Sequence, residues 1–174
     1  MFYGEGKKLF AKIINWDTNT TTGDLSNNSR NLLTGDLNKK RPYRAVLGGE
    51  DGVVNYYEGL PFKHVHMHNT HKGNFVTGLK FSPDSSKFVS VGFDKKIFVY
   101  NGSNGELIDK IAQEKEEGNH TMAIISFCWL DNERFITCSL DKTLKVWNVN
   151  EKKCIMTLPS AEKPGIPNMM CGVV

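Results

Sequence analysis

Three stretches of this chain align on an aspartate. They are Gly49-Glu50-Asp51-Gly52-Val53-Val54-Asn55-Tyr56-Tyr57, Gly92-Phe93-Asp94-Lys95-Lys96-Ile97-Phe98-Val99-Tyr100 and Ser139-Leu140-Asp141-Lys142-Thr143-Leu144-Lys145-Val146-Trp147. An aromatic follows each aspartate by six residues, and successive aspartates lie 43 and then 47 residues apart. Such a period constrains the fold more than any isolated motif does, because each repeat must be the same supersecondary unit. It has room for four short strands.

Each unit reads alike. A β-branched and aromatic run (Val76 to Phe81; Ile124 to Trp129) ends in a turn, Ser82-Pro83-Asp84 or Leu130-Asp131-Asn132-Glu133. A second run follows (Lys87 to Val91; Arg134 to Cys138), then the aspartate turn and a third run ending in the aromatic. Turn formers such as Asn101-Gly102-Ser103-Asn104-Gly105 lead into a fourth (Glu106 to Ile111; Lys153 to Leu158). Short strands between turn residues, with no sustained helical period, predict an all-β chain of antiparallel meanders. Four-stranded units at this spacing are the blades of a β-propeller.

The expected architecture is a partial propeller of about three and a half blades. Residues 1–30 are the end of a first blade, with Phe10 to Trp16 as its third strand and Thr22 to Leu25 as a weak fourth. Residues 31–70 form a degenerate second blade, 71–119 a third and 120–160 a fourth. Residues 161–174 read as a linker and the first strand of another blade, at Met169 to Val174. Closed propellers need about four to eight blades. The expectation is therefore a fragment of a larger propeller, able to self-associate through open blade edges.

The repeats resemble the WD-repeat family, whose blades share a buried set of His, Ser/Thr, Asp and Trp. His120, Thr137, Asp141 and Trp147 match it position by position, and His71, Ser90, Asp94 and Tyr100 match with Tyr in place of Trp. In the Asp51 repeat Leu47 and Tyr57 hold the hydroxyl and Trp positions, and Asn28 is the nearest stand-in for the histidine. A buried carboxylate is tolerated when hydrogen-bonded and paired, which a histidine relaying it to a hydroxyl achieves.

His120, Thr137 and Asp141 have the residue types of a Ser/His/Asp triad. The same types recur at His71, Ser90 and Asp94, which favours a structural role over catalysis. His64, His66 and His68 alternate along a strand and would share one face, as a zinc site requires. A solvated outer strand explains them equally well. Gln113-Glu114-Lys115-Glu116-Glu117-Gly118 is a charged insertion, read as a solvated loop between blades. The net charge of +3 comes without a Lys/Arg block, which argues against a dedicated nucleic-acid surface. No apolar run reaches the roughly 18 residues that cross a membrane, and no segment reads as a signal peptide. The scattered Cys128, Cys138, Cys154 and Cys171 read as reduced, partly buried thiols of a cytosolic protein. No cofactor or phosphate-binding loop is indicated.

A narrower resemblance rests on less regular segments: Gly4-Glu5-Gly6-Lys7, Arg41-Pro42-Tyr43-Arg44, Gly59-Leu60-Pro61-Phe62-Lys63, Phe81-Ser82-Pro83-Asp84 and Asp141 to Val149. In that order they look like the actin-interacting protein 1 family of WD-repeat proteins, within the first of its two seven-bladed propellers. Leu60 departs from the proline usual there, and Asn28 from the histidine. The resemblance implies a non-enzymatic, cytoplasmic regulator on the cytoskeleton. Such a protein binds actin filaments decorated by cofilin and promotes their severing and disassembly. It also implies a contact surface at Glu5, Glu50, Asp51 and Phe62, which sit in turns and an aromatic loop as a protein contact would. For Phe62 alone, a staple holding its loop on the blade is an equal reading. A WD-repeat scaffold for an unrelated complex fits the generic repeats as well.

Overall fold

The computed structural model describes residues 11–15, 17–25, 27–111 and 118–159. Glu5, Cys171, the insertion at 113–117 and the strand expected at 169–174 lie outside them. Fourteen strands occur among the described residues, and no helix. They are β1 (Ala11–Asn15), β2 (Thr20–Leu25), β3 (Leu32–Leu37), β4 (Arg44–Gly49), β5 (Val54–Glu58), β6 (Lys63–His68) and β7 (Val76–Phe81). The chain continues through β8 (Lys87–Gly92), β9 (Ile97–Asn101), β10 (Leu107–Lys110), β11 (Ile124–Trp129), β12 (Arg134–Ser139), β13 (Thr143–Asn148) and β14 (Lys153–Pro159). β1 and β2 pair alone, and three antiparallel meanders follow in sequence order, β3 to β6, β7 to β10 and β11 to β14. This is a partial β-propeller.

The first strands of successive sheets abut. The Phe81 N–H donates to Asp36 Oδ2 at 2.9 Å, Thr77 Oγ1 to the Ile124 carbonyl at 2.6 Å, and Trp129 Nε1 to the Lys80 carbonyl at 3.2 Å. Third strands β5 and β9 are buried over four of their five residues, so they lack the alternation of a half-exposed strand. Outer strand β6 is exposed or half-buried throughout.

The apolar clusters lie between sheets. Ala11, Ile13 and Leu25 pack on Ala45, Leu47 and Tyr57. Val46, Val54 and Tyr56 pack on Val76, Leu79, Phe81, Phe88, Phe98 and Tyr100. Val89, Val91, Ile97, Val99 and Ile111 pack on Ile124, Phe127, Phe135, Trp147 and Val149. The sheets also approach closely at Gly78, where an added Cβ would sit 2.7 Å from the Phe127 ring, and at Gly105, where it would sit 2.5 Å from the Tyr56 ring.

Candidate protein-contact site

The three aspartate turns have one geometry. The N–H of Gly52, Lys95 or Lys142 bonds back to the carbonyl of Gly49, Gly92 or Ser139, at 3.2–3.3 Å. Each closing residue is left-handed, at φ 75°, 66° and 65°. Behind each turn runs a relay. In the last sheet Trp147 Nε1 donates to Thr137 Oγ1 at 2.7 Å, and the hydroxyl meets His120 Nε2 at 2.7 Å. His120 Nδ1 meets Asp141 Oδ2 at 2.8 Å. Burial holds the His120 pKa below its usual value, with Asp141 opposing. The neutral ring therefore accepts from the hydroxyl and donates to the carboxylate. Burial raises the Asp141 pKa, but bonds from Thr143, His120 and the Thr121 N–H outweigh it, leaving a net depression.

The middle relay substitutes a phenol. His71 lies 2.8 Å from both Asp94 Oδ1 and Ser90 Oγ, and Ser90 lies 3.1 Å from the Tyr100 hydroxyl. Thr70 adds a further link to Tyr100 at 2.7 Å. Thr137 and Ser90 are fully enclosed, and their oxygens are saturated by relay partners. Neither hydroxyl is placed to attack a substrate, so the triad resemblance is one of residue type alone.

In the Asp51 sheet, Asn28 takes the place of the missing histidine, and Asn55, which the sequence reading did not single out, takes that of the hydroxyl. Asn55 Oδ1 meets His64 Nε2 at 2.8 Å, and Asn55 Nδ2 donates to Asn28 Oδ1 at 2.8 Å. Asn28 Nδ2 donates to Asp51 Oδ1 at 3.3 Å. Asn55 pairs with Leu47, as Phe98 pairs with Ser90 and Lys145 with Thr137. This relay therefore enters from the strand neighbouring the usual hydroxyl. A lone amide inside the apolar run Val53-Val54-Asn55-Tyr56-Tyr57 was the available signal, since a buried amide must find a partner.

The same sheet removes the common face expected for the three histidines. Pairing of β5 with β6 shifts between Tyr56 and Tyr57, so His64 faces Tyr57 while His66 faces Tyr56. This bulge at Val65 turns His64 towards Asn55, away from His66 and His68. His68 bonds the Gly105 carbonyl at 2.8 Å and lies beside Tyr100.

The partner-contact candidates separate. Glu50 and Asp51 lie in the turn between β4 and β5, with Phe62 at the opposite end of β5, about 16 Å away at ~3.3 Å per residue. Glu50 is held by Asn31 Nδ2 at 3.2 Å. Asp51 accepts from the Ser29 N–H at 2.8 Å, Ser29 Oγ at 3.1 Å and the Val53 N–H at 3.1 Å. Asp51 thus serves its turn and relay. Phe62 is half-buried rather than exposed, packed on the Ala11–Tyr57 cluster with its ring 3.1 Å from where a Cβ on Gly23 would lie. That is the geometry of a staple onto the preceding sheet.

At the Phe62 end, two irregular segments meet. The Gly59 N–H donates to the Tyr43 carbonyl at 2.8 Å. Buried Asn38 fixes the first segment by donating to the Lys40 and Pro42 carbonyls at 2.8 and 3.0 Å and accepting from the Arg44 N–H at 2.6 Å. Between them Arg41, Pro42, Tyr43, Gly59 and Leu60 line an open groove of about 480 Å³. The Arg41 guanidinium lies 5.7 Å from the Tyr43 ring centroid, and Leu60 is exposed.

A family profile, WD domain, G-beta repeat, matches residues 62–101 and 114–148. The chain belongs to the WD-repeat family. Actin-interacting protein 1 of Drosophila melanogaster is 33% identical over 153 residues, covering 87% of this chain and 24% of that protein. WD repeat-containing protein 1 of Xenopus tropicalis is 34% identical over 88% of this chain and 25% of its own length. The 66 kDa stress protein of Physarum polycephalum is 36% identical over 72% of this chain and 20% of its own length. The chain thus spans a quarter or less of these relatives.

The WD relays are not equally complete. Both oxygens of Asp51 and Asp141 are engaged, the latter also by Thr143 Oγ1 at 2.6 Å. Asp94 Oδ2 is buried without a hydrogen-bond partner among the described residues. Lys96 stands where Thr143 stands, and Lys72, left-handed at φ 46°, makes no bond like that of the Thr121 N–H. Lys96→Thr is expected to add a donor to Asp94 and about 1 kcal/mol of stability. A urea midpoint that stays or falls would contradict this comparison of the turns.

Proposed function

We propose that this WD-repeat chain belongs to a non-enzymatic actin regulator in the cytoplasm. In this reading it binds actin filaments together with cofilin, promoting severing and disassembly as a protein–protein platform on the cytoskeleton. The carrying observation is the alignment of 87% of this chain with a relative named for actin interaction. In support, the Arg41–Arg44 and Gly59–Lys63 segments form one loop pair, with Glu50 and Asp51 at the other end of β5. A partner using both ends would span the blade rather than fill a pocket, so Glu5, Glu50, Asp51 and Phe62 remain the proposed contact residues. Residues 31–70, 71–119 and 120–160 are proposed as successive blades of a larger propeller, and self-association would use their strand edges.

The test is co-sedimentation of the full protein with actin filaments, with and without cofilin. Cofilin-dependent pelleting is expected, weakened about tenfold or more in Phe62→Ala and less in Glu5→Ala and Glu50→Ala. Because Phe62 also packs on its neighbour sheet, thermal unfolding of each variant is compared alongside. Absence of cofilin-dependent pelleting would favour the alternative, a WD-repeat scaffold for an unrelated complex.

A further inference from the structure

The middle aspartate turn carries features that its sisters lack. Phe75 and Phe93 are 39% and 45% exposed, with ring centroids 5.4 Å apart. The backbone bond that joins them, Phe93 N–H to the Phe75 carbonyl at 3.0 Å, recurs from Leu140 to Ala123 and from Glu50 to Asn31, both at 2.9 Å. The fold therefore builds this junction three times and needs aromatics at none of them. Two exposed lysines frame the pair, Lys72 in the loop before Phe75 and Lys95 after Phe93. Both are left-handed, at φ 46° and 66°, a conformation disfavoured for a side chain with a Cβ. Lys95 shares its conformation with the sister turns, which hold Gly52 and Lys142 there at φ 75° and 65°, whereas Lys72 is the strained residue particular to the middle turn. Lys72 also forgoes the relay bond its counterparts make. At Lys72, strain and a lost hydrogen bond thus coincide with the exposed apolar surface of Phe75 and Phe93, the pattern of a site kept for contact rather than stability.

We infer that Phe75, Phe93, Lys72 and Lys95 form a docking patch for an acidic protein segment bearing an apolar anchor. The rings supply a desolvated contact and the ammonium groups select carboxylates around it. Acids of the flanking turns do not neutralise the lysines through ion pairs. Glu50 is held by Asn31, Asp51 by Ser29 and Asn28, and Asp94 by His71. The inference does not presuppose the actin reading, because none of the four patch residues is among the contact residues proposed there.

The test is fluorescence anisotropy with the whole chain and a labelled peptide in which glutamates flank a leucine and a phenylalanine. A control peptide carries lysines in place of the glutamates. The acidic peptide is expected to bind in a salt-sensitive manner, and the control is not. Phe93→Ser and the double variant Lys72→Glu/Lys95→Glu should each weaken binding about tenfold or more. The charge-reversed variant should gain binding to the control peptide. Unchanged melting temperatures show that the variants fold. Equal binding of the two peptides, or full binding by Phe93→Ser, would overturn the proposal. So would concentration-dependent self-association that Phe93→Ser abolishes, since the occupant would then be a second copy.

Discussion

Replacing Trp147 by alanine is expected to lower the unfolding free energy by about 4 kcal/mol. The indole is 1% exposed within the cluster shared by the last two sheets, so truncation leaves a cavity that those sheets must both collapse to fill. It also removes the N–H that Thr137 Oγ1 accepts at 2.7 Å. Trp147→Phe separates the two contributions, since it keeps most of the ring and loses only the donor. Its cost should be about 1–2 kcal/mol, roughly that of one buried hydrogen bond and a small void. Urea denaturation of both variants is the measurement. A loss below about 1 kcal/mol in the alanine variant would show that the indole does not anchor the sheets as its burial indicates.

The second large effect is at Asp141. This carboxylate accepts from His120 Nδ1, the Thr121 and Thr143 N–H groups and Thr143 Oγ1, at 2.6–3.0 Å. Asp141→Ala leaves the buried His120 N–H without its acceptor and should cost about 3 kcal/mol. The pH dependence supplies a signature that packing damage would not. Asp141 has its pKa lowered below 3.8 in the folded chain, so its contribution is present above 3.8 and lost as pH falls through the folded value. His120 is lowered below 6.5, so its neutral relay is fully stable above 6.5 and weakens as pH falls through the folded value. Stability of the parent protein should therefore decline on acidification below about pH 6.5. The gap between it and Asp141→Ala should narrow as pH falls through 3.8. A gap that stays constant down to acid would mean that the variant acts through local repacking instead.

Much of the fold was legible because its signal repeats. One aspartate turn is a common motif, but three at a near-constant spacing, each followed by an aromatic, specify a four-stranded unit. The two relays built on His71 and His120 were readable for the same reason. The third was not, because Asn55 enters from the strand paired with the usual hydroxyl position, and no count from Asp51 points to it. His64 was misplaced by the period-two rule, since a bulge at Val65 reverses its face, and bulges leave little trace in sequence. The proposed contact residues could be named in the sequence but not located relative to one another. Glu50 and Phe62 are twelve residues apart, and the extended run of β5 between them puts them at opposite ends of a blade.

The placement of the apolar clusters has a consequence for how the molecule comes apart. No sheet encloses a hydrophobic interior of its own, because each described cluster is made of halves contributed by neighbours. The cooperative element is therefore the seam between two sheets, and stability propagates along the chain as a series of nearest-neighbour couplings. A defect at Val91 or Phe135 loosens the strands on both sides of its seam, whichever repeat holds the altered residue. Repeats in such an array can differ in sequence, as the Asp51 unit does from the other two, provided the surfaces they offer to their neighbours still fit.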